Sequence, residues 1–439
     1  MNRIVLFLLA GILFSCARKN VFDEPPAQPV IDSIAPKSGT TGTQIRLYGS
    51  GFSLRPSLHT VTINGVPVQV DSPSTSTVLM VTVNSRTGTG IVHVKVHNKE
   101  ADGPVFTYVD APSSNLVVST VAGSGTRGYV DGAALTAQFR TVWGLAIDYS
   151  GSIILGDGDN NRIRRISAGA VSTMAGSGTA GFSDGLQNVA QFYNPLGVAA
   201  TGSGTSAGVY VADVVNHRIR YIAAAGNVST RAGTGVSGYT DGTGTTAQFA
   251  RPMSVAINTQ GILYVADMDN NCIRMIPPAG GVSTIAGNGT VGNADGNGAA
   301  ARFRTPFGVA VDLQGNVYVA DYGNDRIRKI TPAGVVTTLA GGNSGYQDGV
   351  GAAARFSGPR GVAADAQGNV YVADAGNHRI RKITPDGTVS TIAGSTQGYA
   401  DGPALQARFS DPSTVVVDAQ GNIYVGDSGN YRVRKISPQ

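Results

Sequence analysis

Residues 317–330 read Val-Tyr-Val-Ala-Asp-Tyr-Gly-Asn-Asp-Arg-Ile-Arg-Lys-Ile: a β-type run ending at Asp321, a turn containing Asn324, and a second β-type run. The pattern occurs six times, and its aspartates lie 53 to 56 residues apart, at Asp157, Asp213, Asp267, Asp321, Asp374 and Asp427. Before each copy stands an Asp-Gly pair, at Asp131, Asp184, Asp241, Asp295, Asp348 and Asp401. A phenylalanine follows each pair, at Phe139, Phe192, Phe249, Phe303, Phe356 and Phe409. Such constant spacing indicates a repeat architecture.

Each copy contains four short β-type runs, a to d, which in the fourth copy are residues 307–311, 316–320, 326–330 and 335–340. Four antiparallel strands in a repeat of this length are typical of one propeller blade. The first d run, residues 116–122, precedes every a run, whereas the sixth copy has only a, b and c runs. We therefore expect the first d run to complete the sixth blade and to close a six-bladed β-propeller over residues 115–439.

The repeated motifs Val-Tyr-Val-Ala-Asp, Gly-Asn and Asn-x-Arg-Ile-Arg-Lys-Ile resemble NHL repeats, and the resemblance covers residues 115–439. It implies a platform that binds proteins, nucleic acid or carbohydrate, with a few enzymatic relatives. The 33 Lys+Arg and 28 Asp+Glu residues of the chain are almost balanced and form no basic block, which disfavours nucleic acid as the partner.

Residues 29–109 form a separate all-β module, with six or seven short β-type runs separated by turn residues. Pro36-Lys-Ser-Gly39, Gly49-Ser-Gly-Phe52, Asn64-Gly65 and Phe106-Thr-Tyr-Val109 resemble the IPT/TIG family of immunoglobulin-like domains. The resemblance implies a β-sandwich that acts as a spacer or a binding module.

Residues 1–15 have the charged start and short apolar run of a secretory signal, so we expect an exported protein. Leu13-Phe14-Ser15-Cys16 resembles a bacterial lipobox, in which Cys16 would carry the lipid and residues 16–28 would form a short tether. An ordinary cleaved signal is the alternative, because Phe14 is bulkier than the usual residue there. The lipobox predicts an outer-membrane lipoprotein, on the periplasmic or cell-surface side, that contacts the membrane through its anchor only.

Function should depend on positions at which the copies differ, because a ligand site needs asymmetry. Four residues after each phenylalanine, strand a is expected to enter the central channel, at Trp143, Leu196, Met253, Phe307, Arg360 and Ser413. The neighbouring loops contribute Arg140, Tyr193, Arg251 and Arg304. We interpret these ten residues as an aromatic and cationic channel mouth suited to sugars, anionic groups or peptides. The alternative is that they only plug the channel as core residues.

Catalytic groups are scarce in this propeller. It contains 21 Asp, no Glu and only two histidines, His217 and His378, whose positions three blades apart prevent them from sharing a metal. We interpret the Asp-x-x-Asn-x-Arg sets as fasteners of the b-to-c turn, in which the arginine ties the aspartate or a neighbouring blade, and we expect neither catalytic residues nor a resident metal. Calcium at the Asp-Gly loops is the alternative. Cys272 replaces the arginine of the third copy, and we expect it to be a free, half-buried thiol.

Together these features predict a non-enzymatic, lipid-anchored extracytoplasmic binding or scaffold protein without a cofactor. The IPT/TIG-like domain would be a spacer, and the propeller face would bind a carbohydrate or protein partner. The alternative function is a calcium-dependent propeller hydrolase, similar to lactonases or lyases.

Overall fold

The structure, a computed structural model, describes residues 28–39, 43–71, 75–83, 88–108, 115–202 and 207–439. The predicted signal peptide, Cys16 and most of the tether lie outside the described residues. The chain divides into two compact units, one ending at Ala111 and the other beginning at Pro112. No helix in the described part of the chain is both long and apolar enough to cross a bilayer.

The N-terminal unit is an eight-stranded β structure. Its strands are β1 (Val30–Ala35), β2 (Ser38–Gly39), β3 (Gln44–Ser50), β4 (His59–Ile63), β5 (Val66–Val70), β6 (Val78–Thr82), β7 (Gly90–Val96) and β8 (Lys99–Tyr108). The order is β1-β3-β6-β5-β4-β7-β8-β2, and all pairs except β2 with β8 are antiparallel. The count exceeds the predicted six or seven because the two-residue strand β2 is too short to show a period-two pattern.

The core of this unit follows from alternation along its strands. In β7 the side chains of Val92, Val94 and Val96 are fully buried, while His93 and Lys95 point to the other face. Strand β5 pairs with β4 at one end and with β6 at the other, so it joins the two halves of the sandwich.

The C-terminal unit is a closed ring of six blades that starts with β9 (Leu116–Ala122). Blade 1 consists of β10 (Gly132–Ala133), β11 (Gly144–Ile147), β12 (Ile153–Asp157), β13 (Arg162–Ser167) and β14 (Ala170–Ala175). Blade 2 consists of β15 (Gly185–Leu186), β16 (Pro195–Thr201), β17 (Gly208–Asp213), β18 (Arg218–Ala223) and β19 (Asn227–Ala232). Blade 3 consists of β20 (Gly242–Thr243), β21 (Pro252–Ile257), β22 (Leu263–Asp267), β23 (Cys272–Ile276) and β24 (Gly281–Ala286).

The remaining blades repeat this order. Blade 4 consists of β25 (Gly296–Asn297), β26 (Pro306–Val311), β27 (Val317–Asp321), β28 (Arg326–Ile330) and β29 (Val335–Gly341). Blade 5 consists of β30 (Gly349–Val350), β31 (Pro359–Ala364), β32 (Val370–Asp374), β33 (Arg379–Ile383) and β34 (Thr388–Ala393). Blade 6 consists of β35 (Gly402–Pro403), β36 (Pro412–Val417), β37 (Ile423–Asp427) and β38 (Arg432–Pro438), and β9 completes it.

The prediction that the first d strand closes the ring is confirmed, because β9 pairs with β38 and with β35 in the sheet of blade 6. The prediction of four strands per blade was incomplete. The residue after each Asp-Gly aspartate begins a two-residue strand that pairs with strand d on the outer side, as Gly296 does with Val336. This fifth strand covers the edge of every blade and is too short to be recognised from its sequence.

Short 3₁₀ helices occupy some of the connections: Pro56–Leu58, Gly158–Asn160, Gly244–Thr246, Gly298–Ala300, Tyr322–Asn324, Gly351–Ala353, Ala375–Asn377 and Ser428–Asn430. Those in the b-to-c turns begin directly after the aspartate that ends strand b.

Apolar side chains fill the spaces between neighbouring blades. One such core combines Ile154 and Ile163 of blade 1 with Phe192 and Val211 of blade 2, all fully buried. Near the axis the a strands approach closely, since a Cβ atom on Gly308 would lie 2.3 Å from the carbonyl oxygen of Arg360 in the next blade. The inner wall of the ring is therefore built largely from backbone and small side chains.

Candidate functional site

The b-to-c turn and the d-to-a loop of each blade meet on one face of the ring, which we call the mouth face. In blade 4 the Asp321 carboxylate lies between them: it accepts hydrogen bonds from the Arg304 backbone N–H at 2.8 Å and from the Asn324 side chain at 2.8 Å. The third donor is Arg328, whose guanidinium is 2.8 Å from Asp321 Oδ2. Asp321 and Arg328 are fully buried.

The second arginine of strand c binds this aspartate in all six blades: Arg164, Arg220, Arg274, Arg328, Arg381 and Arg434. The Asp-x-x-Asn-x-Arg interpretation contains the first arginine and left open whether it ties the aspartate or a neighbouring blade. Among the residues that the structure describes, the first arginine forms no ion pair with the aspartate; Arg162, for example, donates to the carbonyls of Asn160 in the b-to-c turn and of Ser177 in the loop that leads to the next blade. The second arginine is fully buried in every blade, next to the equally buried aspartate. The first arginine lies closer to the surface, and Arg379, for example, stacks 4.0 Å from the centre of the Tyr346 ring.

The same buried arginines also bind the aspartates of the Asp-Gly pairs. Arg328 is 2.7 Å from Asp295 Oδ1, and Asp295 further accepts bonds from the backbone and side chain of Thr338, each at 3.0 Å. Arginine and threonine partners recur at the other five Asp-Gly aspartates. In the described part of the chain, no three His, Cys, Asp or Glu side chains are grouped so that they could hold a metal ion. Calcium binding stays an untested hypothesis.

Burial affects the ionisation of the strand-b aspartates that pair with these arginines. It raises the pKa of Asp267 and of Asp427 to about 6, although Arg274 and Arg434, respectively, favour the charged form. Burial disfavours the charge of Arg274 as well, but the attraction of Asp267 outweighs it and raises the pKa of the guanidinium. We therefore treat each pair as ionised at neutral pH and as part of the structural framework.

The central channel, about 300 Å³ in volume, is lined by the a strands of all six blades. Trp143, Met253, Phe307, Arg360 and Ser413 line it at its mouth end. Leu196 lies beside them, packed with Met253, Phe307 and Val214. The structure therefore brings the six predicted strand positions to one end of the channel.

These six residues have different environments at the mouth of the channel. Leu196 and Met253 are buried in an apolar cluster and fit the core interpretation. Ser413 is buried too, and its hydroxyl donates to the Val142 carbonyl at 2.5 Å. The remaining three, Trp143, Phe307 and Arg360, form the chemically distinctive part of the mouth.

Arg360 is the centre of an aromatic cluster. Its guanidinium carbon lies 5.2 Å from the centre of the Trp143 ring, 6.0 Å from that of Phe307 and 5.9 Å from that of Tyr322. The rings also contact one another, with 5.6 Å between Trp143 and Phe307 and 6.0 Å between Phe307 and Tyr322. Arg360 forms an ion pair with Asp411 at 2.6 Å and is 17% exposed, so solvent still reaches the cation.

Sequence reasoning missed Tyr322. It directly follows the strand-b aspartate, where the other copies have Gly158, Val214, Met268, Ala375 and Ser428. This variability among the copies is the signal that identifies the position, because a ligand site is expected where the copies differ. The predicted site included strand a and the d-to-a loop but no residue of the b-to-c turn.

The four predicted loop residues surround the channel rather than line it. Arg140, Tyr193, Arg251 and Arg304 are all exposed, and each lies at or next to the residue whose N–H binds the strand-b aspartate of its blade. Arg140 lines a second, smaller cavity together with Trp143. Cys272, expected to be half-buried, is completely buried, and burial raises the pKa of its thiol well above the ordinary value.

The fold and this arrangement define a six-bladed β-propeller with a preceding β-sandwich domain. The family model of the NHL repeat matches residues 356–383 and 409–436, and that of the IPT/TIG domain matches residues 29–108. The chain thus contains NHL repeats and an N-terminal IPT/TIG domain, as the sequence motifs predicted.

Two curated relatives match part of this chain. It is 31% identical over 281 residues to Protein SUPPRESSOR OF QUENCHING 1, chloroplastic, of Arabidopsis thaliana, and the match covers 59% of this chain and 26% of that protein. It is 29% identical over 327 residues to NHL repeat-containing protein 2 of Homo sapiens, covering 64% of this chain and 44% of that protein. The chain therefore spans less than half the length of these relatives.

Two solved structures cover nearly the whole chain. A structural genomics protein of unknown function from Bacteroides thetaiotaomicron VPI-5482 superposes with a TM-score of 0.62 at 23% identity, over 95% of this chain and 99% of that one. An auxiliary nutrient binding protein from the same organism superposes with a TM-score of 0.55 at 20% identity, over 94% of this chain and 98% of that one. At these identities the similarity establishes the shared fold.

Proposed function

We propose that this protein is a non-enzymatic, lipid-anchored extracytoplasmic binding protein whose mouth face binds a carbohydrate or protein ligand. The observation that carries the proposal is the cluster of Trp143, Phe307, Tyr322 and Arg360 at the mouth of the channel. A partly exposed cation beside aromatic rings is a frequent centre of binding energy in ligand and protein interfaces.

The repeated charged residues have a different role. The buried arginines and both sets of aspartates bind one another and the turns of their own blade, which occupies the carboxylates that a catalytic or calcium site would need. This disfavours the calcium-dependent hydrolase that the sequence left open. The similarity in fold to a protein named as nutrient-binding is compatible with a binding role.

The proposed location rests on the sequence of the first 16 residues. Export and lipidation at Cys16 would place both folded units outside the cytoplasm, attached to the outer membrane through acyl chains only. In this arrangement the IPT/TIG domain separates the mouth face from the anchor along the chain.

Binding to glycan and peptide arrays tests the proposed mouth. We expect Trp143→Ala and Arg360→Ala each to weaken binding on the order of tenfold or more, because both remove a central contact of the cluster. Tyr149→Ala is the matched control, since Tyr149 is 86% exposed in an a-to-b turn, at the opposite end of the blade.

Thermal unfolding of each variant checks that the propeller remains folded. The proposal would be contradicted by a wild-type protein that binds no array ligand, or by binding that both mouth variants retain in full.

A further inference from the structure

The junction between blade 6 and blade 1 differs from the other five junctions of the ring. At those five, a side chain in the b-to-c turn accepts a hydrogen bond from a backbone N–H at the start of the next blade. The pairs are Asn161 with Asn194, His217 with Arg251, Asn271 with Thr305, Asp325 with Gly358, and His378 with Asp411, at 2.7 to 3.2 Å.

The donors of these bonds share one local structure. Each has a φ near +50° and is followed by the proline that begins strand a, at Pro195, Pro252, Pro306, Pro359 or Pro412. The five junctions therefore use the same turn, and this turn closes the mouth face between neighbouring blades.

At the sixth junction both partners have changed. Tyr431 takes the place of the acceptor, and Thr141, without a positive φ, takes the place of the donor. Val142 stands where the other copies have proline, and strand a begins only at Gly144. The Thr141 N–H turns to Asp157 of its own blade, at 3.2 Å, and the Thr141 hydroxyl accepts from the Asp159 N–H, also at 3.2 Å.

Closure of the ring does not require this change. Strand β9 pairs with β38 in the same register as strands d and c elsewhere, with Arg434 opposite Thr120 as Arg328 is opposite Thr338. Arg434 also binds Asp427 and Asp401 as the other buried arginines bind their aspartates. The difference between this junction and the other five is therefore confined to the mouth face.

A cavity of about 210 Å³ lies at this junction, and we call it the seam cavity. Its lining includes Arg127, Arg140, Trp143, Asp159, Asn194 and Tyr431. Arg127 occupies a position that holds Ala180, Ser237, Val291, Ser344 and Gln397 in the other copies. Three of the lining residues, Arg127, Trp143 and Tyr431, are thus side chains that occur at their repeat position in no other blade.

Of the two arginines that line the seam cavity, Arg127 has a charged partner and Arg140 could pair with a ligand. Arg127 forms an ion pair with Asp159 at 2.9 Å, and both side chains are about half exposed. Within the described residues the guanidinium of Arg140 forms no ion pair or hydrogen bond, although it lines the same cavity. A ligand with a carboxylate would neutralise Arg140 through a charge-assisted hydrogen bond.

The neutral groups of the cavity include two aromatic rings, Trp143 and Tyr431. Asn194 Oδ1 has no hydrogen-bond partner in the described part of the chain, but it is buried against Gly158, so a ligand in the cavity does not reach it. Sugar hydroxyls both donate and accept, and the apolar faces of sugar rings pack on aromatic rings such as Trp143 and Tyr431.

We infer that the seam cavity binds one acidic sugar residue, a hexuronate unit of a glycan. The inference rests on the proposed function and specifies the ligand class for one part of the mouth face. The volume is smaller than the roughly 300–1,000 Å³ of sites for drug-sized ligands, which suits a single ring. An acidic amino-acid side chain would also pair with Arg140, but it has no ring that could pack on Trp143 and Tyr431.

The test compares binding of methyl glucuronide and methyl glucoside by calorimetry. We expect wild-type protein to bind the uronide at least about tenfold more tightly, and Arg140→Gln to abolish this preference by weakening the uronide at least about tenfold. Tyr431→Asn, which restores the acceptor found in two other copies, should weaken both ligands. Arg408→Gln is the matched control, because Arg408 is an exposed arginine outside the seam cavity.

The outcomes separate this inference from the proposed function. Equal binding of the two sugars by wild-type protein, or an unchanged preference in Arg140→Gln, would overturn the seam cavity as a uronate site. If Arg360→Ala lost binding to the array ligands while Arg140→Gln and Tyr431→Asn retained it, the channel mouth would remain the proposed binding site and the seam cavity would be excluded as one.

Discussion

At the scale of single residues, the buried arginine of strand c binds several separate segments of its blade, and the sequence motif around it does not predict these contacts. Arg328 donates to Asp321 and Asp295 and to the backbone carbonyls of Arg302 and Ala294, so it joins strand c to two separate parts of the d-to-a loop. It also lies 5.0 Å from the centre of the Phe303 ring. One such arginine therefore fastens each of the six blades of the ring.

Replacing this arginine should be costly. We expect Arg328→Met to reduce the free energy of unfolding by about 3–5 kcal/mol, because it leaves the buried Asp321 carboxylate without its counter-charge. Arg328→Met combined with Asp321→Asn should recover part of this loss. Denaturant unfolding followed by circular dichroism measures the effect.

Arg326, two residues earlier on the same strand, supplies the control for this experiment. It is partly exposed and makes one long contact, 3.4 Å, to the Asn293 carbonyl, so Arg326→Met should cost less than about 1 kcal/mol. If Arg328→Met lowered the free energy of unfolding no more than Arg326→Met, the buried Arg328–Asp321 ion pair would not stabilise the blade.

At the scale of elements, strand β9 is the piece on which ring closure depends. It precedes all other propeller strands in the chain but lies between β38 and β35 in blade 6. Val118, at 2% exposure, packs into the core between blades 5 and 6. The closure is non-covalent, so its strength depends on this strand's pairing and packing.

We expect a charge in this strand to open the ring. Val118→Asp should destabilise the propeller by about 3 kcal/mol or more and should make β9 sensitive to protease, since the carboxylate would be buried without a partner. Limited proteolysis with mass spectrometry and thermal unfolding report the two effects.

The adjacent residue distinguishes closure from a general effect of charge. Ser119 is exposed on the same strand, and Ser119→Asp should change the stability by no more than about 0.5 kcal/mol. Equal behaviour of the two variants would argue against β9 as the closing element.

At the scale of the whole molecule, the chain combines an IPT/TIG unit and a propeller unit behind an N-terminal segment with a lipobox-like motif. The net charge of +5 is small for 439 residues, which does not suggest attraction to polyanions or to an anionic membrane surface. Attachment to a membrane would therefore depend on covalent lipid.

Metabolic labelling with a fatty-acid analogue in a bacterial host tests this attachment. We expect the full chain to incorporate the label and to fractionate with membranes, and Cys16→Ser to lose both properties, because Cys16 would carry the acyl chains. Cys272→Ser is the control, since the buried Cys272 thiol should make no difference to labelling. Label retained in Cys16→Ser, or absent from the wild-type chain, would favour an ordinary cleaved signal.

The sequence alone determined the number of blades, the family of the repeats and the closing role of β9. These features are local patterns repeated at a fixed spacing, and a propeller converts each repeat into one blade. The six channel positions were also found from the sequence, because each lies four residues after the phenylalanine of its copy.

Only the tertiary structure decided which of these residues form a site. Leu196 and Met253 became core while Trp143, Phe307 and Arg360 came together with Tyr322, and this division depends on packing between blades that the repeat pattern does not encode. The choice of the second arginine of strand c likewise depends on packing, since this arginine is fully buried in every blade while Arg326, for example, is partly exposed. The seam cavity is the clearest case: Tyr431 and Thr141 stand near opposite ends of the propeller sequence, and only closure of the ring brings them to one junction.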